Sequence, residues 1–114
     1  MVSLGGSKAE LTLEYLQSRK HVQNETLKAL QKLAKFSNLD RKNGVFEGRM
    51  TYHQKSWKRT YLRVEYQQLE ESTKVEIVVW CESDDPVSKR NTKESLDFIV
   101  RFLVGICREL TLKG

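Results

Sequence analysis

Between Arg41 and Arg63 the sequence places seven Lys or Arg (Arg41, Lys42, Arg49, Lys55, Lys58, Arg59 and Arg63) against the single acid Glu47. Seven against one gives this stretch a charge of +6, more than the +5 of the whole 114-residue chain. Tyr61 falls between two of these cations. A guanidinium fork matches phosphate oxygens, and an exposed aromatic ring stacks on a base. The chemistry is therefore recognition of an anion. On an antiparallel strand pair, residues two apart share a face. Arg49, Arg59 and Arg63 then project together with His53, and Trp80 shares their face.

Other reactive groups do not assemble. His21 and His53 fall on different predicted elements, with no acid beside either in sequence, so no base–nucleophile pair forms. Asp84-Asp85 lacks further ligands at calcium-loop spacing and reads as a loop with a helix-start bias. Gly44-x-x-x-Gly48 lacks the Lys-Ser/Thr of a phosphate loop, and Gly48 within a strand marks a bulge. Cys81 and Cys107 lie 26 apart in apolar runs, without a C-x-x-C or Cys/His cluster. They read as two buried free thiols and exclude a zinc site. The expectation is a non-enzymatic protein with no cofactor and no metal.

The elements that must hold the basic stretch follow from periodicity. Residues 1–6 read as a flexible tail. Ser7-Lys8-Ala9-Glu10 has the form of a capping box and predicts a helix from about 8 to 21. Asn24 reads as a second N-cap before Leu27, Leu30, Leu33, Ala34 and Phe36. With no Gly or Pro between them, 7–38 reads as one helical region, a single helix or a helical hairpin. Asn43-Gly44 is a turn signal. Three strands follow within 44–82. The first carries Phe46, Met50 and Tyr52 on one face; the second carries Leu62, Val64 and Tyr66; the third is the apolar run V-E-I-V-V-W-C. Asn91-Thr92-Lys93-Glu94 repeats the capping-box form and predicts a helix over 91–111. Leu96, Ile99, Val100, Leu103, Ile106, Cys107 and Leu110 form its apolar stripe. The expected fold is one α+β domain over 1–114, ordered α-β-β-β-α. In it a three-stranded antiparallel meander packs against the long C-terminal helix.

Composition bounds the class. At 39% hydrophobic and 31% charged, with a pI near 9.3, the chain fits a soluble globular domain with an anionic partner. Residues 1–6 lack the basic start and apolar core of a signal peptide. The longest apolar stretch, near 98–107, is broken by Arg101 and is too short to span a bilayer. The expected location is intracellular, in the cytoplasm or nucleus.

The α-β-β-β-α order, over about 24–110, is similar to that of the double-stranded RNA-binding domain and of the small Alu-binding proteins of the signal recognition particle. The first resemblance implies phosphate contacts from Lys89, Arg90 and Lys93 at the start of the last helix. The chain lacks the alanine-rich last helix and Gly-containing strand loops of that family. K-S-W-K-R-T-Y-L, Lys55–Leu62, resembles the start of strand two in a pleckstrin-homology domain, implying phosphoinositide contacts by Lys55, Lys58 and Arg59. That fold has seven strands where about three are read here. The same order also looks like the lipid-binding domains at the ends of some kinases. The chain is assigned to none of these families.

The leading expectation is a nucleic-acid-binding module, with RNA favoured over DNA or phosphoinositide. Its contacts would come from Arg49, Lys55, Lys58, Arg59, Tyr61, Arg63, Lys89 and Arg90. The rival is a protein-interaction subunit or homodimer that buries Leu27, Leu30, Leu33, Phe98 and Phe102 against a partner. The third class is an anionic-phospholipid binder.

Overall fold

The computed structural model describes residues 6–51, 60–83 and 85–113. The segment K-A-E-L-T-L-E-Y alternates polar and apolar residues, and it forms a strand, β1 (Lys8–Tyr15). Then follow α1 (Arg19–Leu30), β2 (Ala34–Asp40), β3 (Val45–Met50), β4 (Thr60–Gln68), β5 (Thr73–Cys81) and α2 (Pro86–Ile106). The five strands form one antiparallel sheet in the order β1-β5-β4-β3-β2. The fold is α+β, with five strands where the sequence reading expects three.

The expected helical region over 7–38 is therefore corrected. Ala9, Leu11, Leu13 and Tyr15 point into the core, while Lys8, Glu10, Thr12 and Glu14 face away. That period of two outweighs the capping-box signal. Ser7 is no helix cap: its amide donates to Ser83 O at 3.1 Å, and its carbonyl accepts from Cys81 N at 2.9 Å. Asn24 lies inside α1, whose first amide, Arg19 N, instead donates to the Gln68 side chain at 2.7 Å. The apolar pattern that extends past Leu30 belongs partly to β2, where Ala34 is buried and Phe36 packs on the core.

Two glycines shape the β2–β3 hairpin. Gly44 has φ +69°, the left-handed conformation that the turn after Asn43 requires. Gly48 faces Phe36 where the register shifts between Phe36 and Asn38, so the irregularity lies opposite the glycine, on β2, and not within its own strand as the sequence reading expects. A Cβ there would lie 2.4 Å from Lys35 O. Only a bare Cα lets β2 approach.

Helix α2 begins at Pro86, earlier than the capping-box form predicts. Asp85 is its N-cap and accepts from Ser88 N at 2.9 Å. Leu96, Ile99 and Leu103 are buried against the inward residues of β5 and β1. Helix α1 packs on α2 and β4 on the same side of the sheet. There the Thr26 hydroxyl donates to Val22 O at 2.7 Å and so accepts from Tyr66 Oη at 2.6 Å. Leu27, Leu30 and Leu33 are buried in this core, which removes them from any partner surface. Phe98 and Phe102, half-buried, stack with ring centroids 6.3 Å apart and pack on the same core. Both cysteines are buried free thiols. Among the described residues, no helix is long and apolar enough to cross a membrane.

Leu103, at 1% exposure, joins α2 to this core. Leu103→Ala is expected to lower stability by about 2–5 kcal/mol, measured by denaturant unfolding. Tyrosine ionisation supplies a second test. Burial pushes the Tyr15 phenol up to about 12 and the Tyr66 phenol further still. A raised folded-state pKa means that the folded chain holds the proton more tightly. The contribution is complete below the unfolded value of about 10 and is lost as pH climbs towards the folded value. Unfolding curves from pH 8 upward should therefore show stability falling above about pH 10. Tyr15→Phe and Tyr66→Phe should each flatten that fall.

Candidate functional site

With both helices on one face, the other face of the sheet is uncovered among the described residues. Antiparallel register sorts its side chains into rows that cross all five strands. The first row reads Lys8, Trp80, Tyr61, Arg49, Lys35, one residue from each strand. The second reads Glu10, Val78, Arg63, Glu47, Asn38, and the third Thr12, Glu76, Glu65, Val45, Asp40. The first row holds three cations and no carboxylate. The second holds one cation against two carboxylates, and the third three carboxylates and no cation. The face thus runs from basic and aromatic at one end to acidic at the other.

Within the first row the half-buried Trp80 and Tyr61 rings stack, with centroids 5.6 Å apart and planes 27° apart. Tyr61 Oη donates to Glu82 Oε1 at 3.3 Å. These aromatics lie on the helix-free face and are not core. Arg49 and Lys35 are exposed, with no carboxylate partner among the described residues. Lys8 reaches Glu10 at a loose 3.8 Å. Surface pairs of this kind contribute little to stability and leave the cation accessible.

The sequence-predicted residues divide on this geometry. Arg49 and Tyr61 share the first row. Arg63 lies one row away, paired with Glu65 at 2.5 Å and opposite Glu47, which satisfies much of its charge within the sheet. Lys89 and Arg90 are exposed near the start of α2. The next residue, Asn91, donates to Thr60 Oγ1 at 3.1 Å, and Thr60 pairs with Cys81 beside the first row. These two cations therefore lie at the basic end of the molecule, on its helix layer. Lys55, Lys58, Arg59 and His53 lie outside the described residues. Lys8 and Lys35 were missed because both were assigned to a helix; the alternation of 8–15 is the signal for Lys8, whereas the bulge after Phe36 leaves Lys35 without one.

A second cluster was also missed. His21 and Glu25, one turn apart on α1, meet Glu109 after α2, with one ligand atom from each within 4.8 Å of the others. Two acids therefore do stand beside His21, one at the i+4 position and one brought in by the fold. Lys28 pairs with Glu25 at 3.1 Å, and that contact holds the Glu25 carboxyl below its ordinary pKa. At the end of the molecule away from the first row, Val104, Ile106 and Leu112 are exposed apolar residues. No protein-family model and no curated protein matches the chain.

Proposed function

We propose that the chain is a non-catalytic module that binds nucleic acid through the basic, aromatic end of its open sheet face, with RNA as the preferred ligand. The observation that carries this reading is the first row: three cations and two stacked rings in register across five strands, without a carboxylate. Lys8, Arg49 and Lys35 would hold phosphates, joined by Lys89 and Arg90 at the same end. Lys55, Lys58 and Arg59 lie in sequence between Met50 and Thr60, on the connection between the two strands that carry Arg49 and Tyr61. RNA is favoured because its loops and ends offer unstacked bases to exposed aromatic side chains.

Electrostatics also favour an extended anion over a compact one. The cations are spread along a row of roughly 19 Å, four strand spacings of about 4.8 Å, rather than converging on one point. A single phosphate headgroup engages a pocket; a polyphosphate backbone engages a line. The acidic third row repels the same ligand and confines it to one end of the face.

Neutralising about five phosphates gives a slope of log K against log salt of roughly −3.5 for single strands and −4.5 for duplex. The expected measurement is fluorescence anisotropy of a labelled RNA across a salt series. Arg49→Gln should make the slope shallower by about one charge equivalent, whereas Arg63→Gln, which removes a cation already paired with Glu65, should change it little. A slope near zero, or equal effects of the two substitutions, would overturn this assignment.

A further inference from the structure

The Trp80–Tyr61 pair has a property that phosphate binding leaves unused. The two rings belong to register partners on neighbouring strands, with centroids 5.6 Å apart, so the line joining them runs along the row. A stack laid that way has two outer ends. One end faces the strand of Lys8, the other the strand of Arg49. Each half-buried ring therefore has a cation as its register partner on the next strand.

Resting on the nucleic-acid reading, we infer that this pair is a base-stacking platform for single-stranded nucleic acid, whose chain crosses the β-strands along the first row. Unpaired bases extend the stack at its two ends, one against Trp80 and one against Tyr61, while Lys8, Arg49 and Lys35 take the phosphates between and beside them. The guanidinium plane of Arg49 adds a second stacking surface for the base at the Tyr61 end. A base held inside a duplex cannot reach either end, because both of its faces are already covered by its neighbours. The platform therefore selects for strandedness. It does not select for sequence, since every base has a π-face. The length of the row corresponds to a short footprint, on the order of four nucleotides.

The test separates bases from phosphates. Anisotropy titrations compare a uridine octamer, an abasic ribose-phosphate octamer of the same charge, a thymidine octamer and an RNA duplex, at one salt concentration. Vesicles of mixed neutral and anionic phospholipid are the non-nucleic-acid arm. The expected result is that the uridine octamer binds more tightly than the abasic one, and more tightly than the duplex. Trp80→Ala and Tyr61→Ala should each weaken uridine binding by roughly 5- to 160-fold, equivalent to about 1–3 kcal/mol per base, and leave abasic binding unchanged. The wild-type comparison of uridine with abasic octamer needs no variant, so a misfolded substitution does not blunt it. Equal affinity for uridine and abasic octamers, or a preference for duplex, overturns the stacking inference and leaves backbone binding in place. No binding to any oligonucleotide, with or without binding to vesicles, overturns both. Thymidine binding as tight as uridine keeps the inference and extends the ligand to single-stranded DNA.

Discussion

The antiparallel ladder between β4 and β5 is the constraint on which both sides of this protein depend. Its register runs from Thr60 opposite Cys81 to Gln68 opposite Thr73. Leu62, Val64, Val75, Ile77 and Val79, all 0% exposed, then point to the helices. The residues between them, Tyr61, Arg63, Trp80, Val78 and their neighbours, must point the other way. A slip by one residue would turn one strand over, placing either Leu62 and Val64 or Val75, Ile77 and Val79 in water, and either Arg63 and Glu65 or Lys74 and Glu76 in the core. The hydrophobic effect therefore selects a single register, and that register brings Tyr61 against Trp80. The aromatic stack on the open face is a consequence of burial on the closed one.

The rest of the molecule secures that ladder from its two flanks. β1 adds to the free edge of β5, and the chain after α2 returns to it: Leu112 bridges Tyr15, and Lys113 N donates to Glu14 O at 2.8 Å. The Glu14 carboxyl, hydrogen-bonded by Ser72 and paired with Lys113, is held below its ordinary pKa. On the far flank, Gly48 permits β2 to close on β3. Both additions lengthen the row by one cation, Lys8 on one side and Lys35 on the other. A three-stranded sheet would present only Trp80, Tyr61 and Arg49.

The three middle strands were legible in the sequence because their apolar alternation is strong and their turns carry clear chemistry, such as Asn43-Gly44. The two outer strands were not, for reasons that differ. In 8–15 the alternation is present, but Leu, Ala and Glu are good helix formers and the preceding Ser mimics a cap. Propensity and period disagreed there, and tertiary pairing with β5 decides for the period. In 34–40 the bulge after Phe36 breaks the alternation itself, so no local pattern remains to be read. The basic hairpin was visible as composition, but its division was not. Glu65, which engages Arg63, is only two residues along the same strand, but that Arg49 is open depends on its cross-strand neighbours Tyr61 and Lys35, which sequence separation conceals.

One unfavourable contact in the first row is left without compensation. Like charges opposite one another on neighbouring strands destabilise a sheet, yet Arg49 and Lys35 are register partners. The third row also has a like-charge pair, Glu65 opposite Glu76, but there each acid has a cation partner: Arg63 with Glu65 and Lys74 with Glu76. Arg49 and Lys35 have no carboxylate partner among the described residues to offset their repulsion. An uncompensated local conflict is characteristic of a site where a ligand relieves it on binding. An anionic chain laid along the first row would do so for Arg49 and Lys35 directly.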